Sequence, residues 1–114
     1  MTKPTVESIQ ERAPCCTVTA PPLPEAAAGE RARRFKALAD PTRVQIVSVL
    51  LRNGDPVCVC DITALFPLGQ PTVSYHLKVL RDAGLVDCHR RGPWCYYYVR
   101  PEAAGWVRAA LGSG

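Results

Sequence analysis

The sequence lacks long apolar runs. Its first 25 residues hold no continuous apolar stretch of the kind found in signal peptides, and no window approaches the length needed to span a bilayer. These absences argue against secretion and membrane insertion. We therefore expect a cytoplasmic protein with no membrane partner.

Histidine is also scarce, with only His76 and His89 in the chain. We find no Ser/His/Asp set, no paired carboxylates and no phosphate-cradling glycine loop, and no histidine base neighbours Cys15, Cys16, Cys58 or Cys60. The sequence therefore predicts that the protein is not an enzyme. A small thiol enzyme stays as a rival hypothesis, and turnover of a substrate with a thiol donor would reveal it.

Length and charge are compatible with a small domain that binds nucleic acid. The 114 residues are enough for one domain with a modest core, so a homodimer that buries further apolar surface is a reasonable expectation. The formal net charge is +4, and eleven of the fourteen cationic residues are arginine. Arginine favours bidentate contacts with phosphate, so this balance is compatible with nucleic acid.

The chain divides into an arm and a body. Residues 1–24 are rich in proline and show no helical period, which predicts a flexible N-terminal arm carrying Cys15 and Cys16. Residues 25–114 form the predicted folded domain. Its first helix should run to Ala39 with Ala28, Ala32, Phe35 and Leu38 along one stripe, and Asp40 should cap the apolar helix that follows.

The next segment predicts a winged helix-turn-helix. Asp61 is placed to cap a short helix, "PLGQP" to make a turn, and Gly84 to end a second helix with Val73, Leu77 and Leu80 on its core face. Two strands flanking "RGP" then make a β-hairpin, and a final helix begins at Pro101. The fold class is therefore mainly α with a small β-hairpin.

The outer and flanking faces of the second helix carry groups that can read double-stranded DNA. Hydroxyl, amide and imidazole groups near a helix N-terminus suit base edges and phosphates in the major groove, and basic residues at the hairpin tip suit phosphates or the minor groove. A merely solvated polar face is the alternative interpretation. The candidate DNA-binding residues are Gln70, Thr72, Ser74, Tyr75, His76, Lys78, Arg90 and Arg91.

Four segments in order resemble the ArsR/SmtB family of metal-responsive bacterial repressors: "FKALADPTRVQIVSVLL", "VCVCDI", "QPTVSYHLKVLRDAGLV" and "RRGPWCYYYV". The resemblance covers about residues 33–100. It implies a winged helix-turn-helix homodimer that binds a palindromic operator and leaves it when an inducer binds. The sequence departs from the pattern at Gly69, where many members have a capping serine, and at Tyr75, a frequently polar position.

Six cysteines in a cytoplasmic chain are more consistent with ligands or redox groups than with structural disulfides. In an extended segment, residues i and i+2 point to the same side, so the sulfurs of Cys58 and Cys60 should converge on one ion. Resemblance to the family's "CVCD" element implies a thiophilic ion, either As(III) and Sb(III) or Cd(II) and Pb(II). No metal is expected to be needed for folding.

Two sulfurs do not complete such a site, since trivalent arsenic takes three thiolates and cadmium tends to take four. Cys15 and Cys16 are the predicted remaining ligands, and the family offers precedent for N-terminal cysteines of the partner chain. A vicinal pair plus one further thiol makes a compact three-sulfur set, which favours As(III) or Sb(III) over Cd(II) or Pb(II). Which of Cys58 and Cys60 completes it stays open.

The third cysteine pair lies in the predicted hairpin. A turn on Arg91 and Gly92 would place Cys88 directly opposite Cys95, close enough for a reversible disulfide, although two small apolar residues are the more ordinary interpretation. A thiol redox-sensing repressor, using this pair or Cys15 and Cys16, is thus a further alternative. The family's other metal site is not expected, because residues 101–111 contain no histidine or aspartate.

Overall fold

The computed structural model describes residues 17–112. In chain order the elements are α1 (Glu25–Leu38), α2 (Pro41–Asn53), β1 (Val57–Cys58), α3 (Val59–Thr63), α4 (Gln70–Asp82), β2 (Val86–Arg91), β3 (Trp94–Val99) and α5 (Pro101–Leu111). This is a winged helix-turn-helix, so the predicted fold class is confirmed. The predicted arm residues up to 16, including Cys15 and Cys16, lie outside the described part of the chain.

The sheet has one strand more than the predicted hairpin. Its strand order is β1-β3-β2, and both pairings are antiparallel. β1 contributes only Val57 and Cys58, which lie opposite Tyr97 and Tyr96. Strand β1, which carries Cys58, is therefore hydrogen-bonded to the β2–β3 hairpin, which is the wing of this fold.

Helix α2 begins as the sequence predicts. The carboxylate of Asp40 accepts a hydrogen bond from the backbone N–H of Arg43 at 3.1 Å, and Pro41 occupies the first helical position. This hydrogen bond lowers the pKa of Asp40 below its usual value. Three residues of α2, Ile46, Val47 and Leu50, are buried at the centre of the domain.

The core forms where the helices meet the inner face of the sheet. Fully buried aliphatic side chains come from α2, α3, α4, α5 and the start of β2, among them Ile46, Ile62, Leu77, Leu80, Leu85, Val86 and Val107. Close packing of these side chains holds helix α4 at a fixed angle to the rest of the domain.

Helix α4, which we call the reading helix because the sequence predicts that it contacts DNA, is joined to the wing through Gly84 and Leu85. Gly84 has a φ of 78°, and its N–H donates to the Arg81 carbonyl at 2.9 Å, while the Leu85 N–H donates to Leu80 at 3.0 Å. These two bonds form a Schellman motif. The carbonyl of the fully buried Leu85 also accepts from the Arg100 N–H at 3.0 Å. Leu85 is thus hydrogen-bonded both to the end of α4, through its N–H, and to Arg100 directly after β3, through its carbonyl.

The predicted stripe on α1 is mostly not buried within the chain. Leu38 is buried, but Ala28 and Ala32 are exposed and the Phe35 side chain is 56% exposed. Phe35 packs edge-on against Trp106 of α5, with ring centroids 5.0 Å apart. No helix in the described part of the chain is long and apolar enough to cross a membrane.

Candidate thiol site and nucleic-acid interface

Cys58 and Cys60 lie at the junction of β1 and α3. Cys58 is the last residue of β1 and the N-cap of α3, so Cys60 belongs to the helix and not to an extended strand. The predicted capping by Asp61 is wrong, because the N-cap is Cys58, three residues earlier, and Asp61 lies in the first turn of α3. There the carboxylate still interacts favourably with the helix dipole.

The two sulfurs nevertheless converge. Their Sγ atoms are 2.9 Å apart, and the bend from strand to helix brings them together, not the alternation of an extended chain. Cys58 is only 6% exposed, whereas Cys60 is exposed to solvent. One sulfur of the pair is thus buried beneath the surface and the other is accessible.

The pKa of the Cys60 thiol lies above its usual value. The largest cause is the hydrogen bond with Cys58, followed by desolvation and the charges of Cys58 and Asp61. The Cys60 thiol therefore keeps its proton near pH 7, as expected when a neighbouring sulfur competes for negative charge.

The pair fits two positions of a site for a soft ion. Thiolates are the preferred ligands of soft metals and metalloids, and two sulfurs bonded to one tetrahedral ion at about 2.3 Å would lie about 3.8 Å apart, a small opening of the observed pair. Within residues 17–112 no further His, Cys, Asp or Glu side chain gathers with them to form a three-ligand group. A three-ligand site at this pair would need at least one protein ligand from outside these residues or from a second molecule.

The register of the wing differs from the prediction for Cys88 and Cys95. The hairpin turns on Gly92 and Pro93 instead of Arg91 and Gly92, so Cys88 lies opposite Tyr97 and Cys95 lies opposite Arg90. Gly92 has a φ of 60°, and a glycine with positive φ followed by proline matches a type II′ turn. The two thiols are diagonal neighbours on either side of Tyr97, not a directly opposed pair.

The pKa of Tyr97 reflects its burial and its position beside Cys88 and Cys95. Burial is the main cause that raises the pKa of Tyr97, and the neighbouring Cys88 and Cys95 raise it further. The ring packs against the hydrophobic core. These thiols therefore lie on the core side of the sheet.

Helix α4 presents most of its predicted DNA-binding residues to solvent. Gln70, Thr72 and Lys78 are exposed, and Tyr75 is 61% exposed. Ser74 is half-buried on one flank. Gly69 is the N-cap and supplies no side-chain bond, as expected from the missing serine.

His76 and Lys78 already have partners inside the chain. The Arg43 guanidinium donates to Nδ1 of the half-buried His76 at 3.1 Å, which leaves Nε2 for any further contact. Lys78 forms an exposed ion pair with Asp82 at 3.0 Å. Because exposed pairs contribute little, Lys78 can exchange this partner for a phosphate.

The wing tip carries the two predicted arginines. Arg90 and Arg91 are both exposed, and the guanidinium of Arg91 lies over the Tyr96 ring, 5.8 Å from its centroid. Trp94, directly opposite Arg91, is 51% exposed. The tip therefore combines positive charge with an accessible aromatic ring.

A basic cleft beside α4 was not predicted from the sequence. A cavity of about 350 Å³ opens between α1 and α4, lined by Arg33, Lys36, Arg43 and Tyr75 among others. Arg33 and Lys36 are exposed, one turn apart on α1. Their i, i+3 spacing was the available signal, but only the packing of α1 against α4 shows that they flank the reading helix.

Comparisons with known proteins agree with this architecture. The family model described as "Bacterial regulatory protein, arsR family" matches residues 40–87. The arsenic resistance transcriptional regulator ArsR1 of Pseudomonas putida is 44% identical over 77 residues, which cover 68% of this chain and 59% of that protein. This chain thus matches less than two thirds of that relative's length.

Two other relatives widen the comparison. An uncharacterized HTH-type transcriptional regulator of Methanocaldococcus jannaschii is 45% identical over 65 residues, covering 57% of this chain and 72% of that protein. The cadmium resistance transcriptional regulatory protein CadC of Listeria innocua is 39% identical over 66 residues, covering 58% and 55%.

Among solved structures, the homodimeric winged helix-turn-helix DNA-binding domain of a possible ArsR-family transcriptional regulator from Mycobacterium bovis superposes with a TM-score of 0.68. Its sequence is 30% identical, and the match covers 75% of this chain and 78% of that one.

Proposed function

The chain belongs to the arsR family of bacterial regulatory proteins, and from this premise we propose that it is a transcriptional repressor that leaves its operator when As(III) or Sb(III) binds. The observation that carries the proposal is the convergence of Cys58 and Cys60 at 2.9 Å on the first helix of the DNA-reading motif. Relatives named for arsenic resistance support the choice of inducer.

The proposed ligands are Cys15, Cys16 and one of Cys58 and Cys60, which together supply three thiolates. This set matches the three-sulfur preference of trivalent arsenic. Closing it would attach the N-terminal segment to the start of α3, whose fully buried Ile62 shares the core with Leu77 of the reading helix. Movement at the thiols would therefore reach α4 through close-packed side chains.

The proposed DNA contacts come from three surfaces. The exposed residues of α4 would enter the major groove of double-stranded operator DNA, the wing arginines would contact the neighbouring backbone or minor groove, and Arg33 and Lys36 would contact phosphates beside the reading helix. The last contact follows from the cleft, since phosphates border the groove that α4 would occupy.

We propose that a homodimer is the active species. The exposed Phe35 and neighbouring alanines of α1, next to Trp106, offer apolar surface for a second copy. The homodimeric Mycobacterium bovis domain supports this assembly. Val107, on the same helix as Trp106, is fully buried in the chain's own core and is not available for this contact. A repressor of this kind acts in the cytoplasm and performs no catalysis.

Lifting repression about a hundredfold requires that inducer binding disfavour the DNA-binding state by about 3 kcal/mol. The test is a mobility-shift assay on operator DNA with arsenite, antimonite, cadmium, lead and zinc. It is repeated with Cys15→Ser, Cys16→Ser, Cys58→Ser and Cys60→Ser. Arsenite should release the wild-type protein and fail with the arm variants, whereas release that survives loss of both arm thiols would contradict the proposed ligand set.

The phosphate contacts are tested by salt dependence. Arg33→Gln and Lys36→Gln should each lower the slope of log affinity against log salt by about 0.9, the value for one phosphate contact. Arg52→Gln removes the same charge from the far side of α2 and should leave the slope unchanged. Equal slopes for all three variants would place the DNA elsewhere.

A repressor responsive to Cd(II) or Pb(II) is the second candidate, and the cadmium-resistance relative favours it. That function would use all four thiols. Release by cadmium at lower concentrations than arsenite, lost in each of the four single variants, would select it. A redox-sensing repressor would instead release DNA with peroxide alone, and only reduction would restore binding.

A further inference from the structure

A row of directly opposed residues links the thiol site to the wing. Cys58 of β1 lies opposite Tyr96 of β3, and Tyr96 lies opposite His89 of β2. Directly opposed side chains in an antiparallel sheet share one face, with Cβ atoms about 5 Å apart. The neighbouring row, with Val57 and Tyr97, packs against the core, so the Cys58 row is on the outer face.

The Tyr96 ring also contacts the DNA-facing tip. The guanidinium carbon of Arg91 is 5.8 Å from the Tyr96 ring centroid, a cation–π distance, and the His89 ring lies 6.4 Å away. Tyr96 is half-buried while Arg91 is exposed. The ring therefore stands between the buried sulfur of Cys58 and a cation that the proposed function assigns to DNA.

We propose that Tyr96 is a positioning residue that transmits inducer binding at Cys58 and Cys60 to Arg91 of the wing. This inference rests on the proposed function and adds a route by which the inducer regulates DNA binding. Tyr96 holds Arg91 in its DNA-binding position in the free protein, and it shifts when the thiol pair changes.

The packing around Cys58 explains why the shift reaches Tyr96. Whichever sulfur becomes a ligand, the other lies only 2.9 Å from it, so the pair must open to admit an ion. Cys60 can move into solvent, but Cys58 is only 6% exposed and is enclosed by other parts of the chain. Its displacement must be taken up by neighbouring side chains, and the directly opposed Tyr96 is one of them.

The test compares Tyr96→Leu with Tyr98→Leu. Tyr98 is a matched control because it lies on the same outer face and its ring is 5.6 Å from His89, yet it pairs with Asp87 and not with Cys58. Three quantities are measured for each protein: operator affinity without inducer, arsenite stoichiometry and affinity by thiolate absorbance, and the ratio of operator affinities without and with saturating arsenite.

We expect Tyr96→Leu to bind arsenite as the wild type does, while the affinity ratio falls from about a hundredfold to below about tenfold, within the usual range of coupling. Tyr98→Leu and Tyr96→Phe should keep the wild-type ratio. Should Tyr96→Leu fail to fold, as judged by circular dichroism, Tyr96→Met replaces it with a flexible side chain. The result that overturns the inference is a wild-type ratio in the ringless variant.

Failure of the proposed function gives a different result. In that case arsenite does not release the wild-type protein from the operator. The ratio of operator affinities without and with arsenite is then close to one in the wild type as well as in the variants. A release ratio of about a hundredfold in wild type and in Tyr96→Leu alike leaves the repressor function intact and removes Tyr96 from its mechanism.

Discussion

Two cysteine pairs lie in the described part of the chain. Cys58 and Cys60 are two residues apart in the sequence, and Cys88 and Cys95 lie on the paired strands β2 and β3. Cys58 is on the outer face of the small sheet and the second pair is on its core face. Cys58 ends β1 in the outer-face row, and its sulfur is 2.9 Å from that of Cys60 in α3, whereas Cys88 and Cys95 are diagonal neighbours beside Tyr97 on the core side. Two pairs that look alike in the sequence thus differ in the structure. Only the first combines touching sulfurs with one thiol that is open to solvent, and for this reason the proposed function uses it.

The largest expected effect separates the pairs by function. The double variant Cys58→Ser/Cys60→Ser should lose nearly all of the roughly hundredfold release by arsenite, because no sulfur remains beside α3 to join the arm thiols. Cys88→Ser/Cys95→Ser should retain it. Mobility-shift titrations on the same operator measure the release of both double variants by arsenite. An equal loss of release in the two variants would show that the cysteine pairs do not differ in function.

A second prediction uses pH to identify the ion at the first pair. The pKa of Cys60 is raised, so near neutral pH the thiol must lose its proton to bind Cd(II), and apparent cadmium affinity should rise up to about tenfold per pH unit for each proton released.

Arsenite reacts differently, since each As–OH bond exchanged for As–S consumes the thiol proton as water. Its apparent affinity should stay nearly level from pH 6 to about pH 8, below the raised thiol pKa. Isothermal titration at several pH values in two buffers measures affinity and proton release together. A steep pH dependence for arsenite would show that binding does not follow this exchange.

A third prediction tests the register that keeps the second pair apart. Arg90 is directly opposite Cys95, so Arg90→Cys in a Cys88→Ser background should form a cross-strand disulfide with Cys95 under mild oxidation. The native Cys88 and Cys95 should crosslink to a much smaller extent. Peptide mapping after digestion measures the two crosslinks. All proteins also carry Cys15→Ser/Cys16→Ser, so that the arm thiols cannot react. A crosslink that forms preferentially between Cys88 and Cys95 would support the register predicted from the sequence.

The smallest effect concerns stability. Cys58 is the N-cap of α3 and makes no side-chain capping bond. Cys58→Ser introduces a preferred capping hydroxyl, so its free energy of unfolding should change by no more than about 1 kcal/mol despite the buried position. Cys88→Ser gains no such cap and serves as the control. Urea denaturation measures the free energy of unfolding of both variants. A loss well above about 1 kcal/mol for Cys58→Ser would show that the packing of the Cys58 sulfur outweighs the new capping hydrogen bond.

Sequence reasoning succeeded where a single residue determines local geometry. Asp40 caps α2, and Gly84 ends α4 in the left-handed region, because each role depends on one side chain or its absence. The fold class followed from these boundaries together with the apolar periods of α2 and α4.

It failed where two adjacent choices were nearly equal. "RRGP" offers two possible turns, and moving the turn by one residue changes every cross-strand partner by two. Similarly, "VCVCD" allowed a longer strand, yet α3 begins at Val59. The cleft of Arg33 and Lys36 and the row through Tyr96 depend on tertiary packing, which no local pattern records.

The shared hydrogen bonds at Leu85 have a consequence for the choice of DNA. Because this residue fastens the end of α4 to the sheet, the reading helix and the wing tip keep a constant separation. Under the proposed function, the interval between the contacts of these two elements on a half-site is then a fixed number of base pairs. Inserting one base pair, about 3.4 Å, between them should cost one of the contacts, because the hydrogen bonds at Leu85 keep the two elements from moving apart.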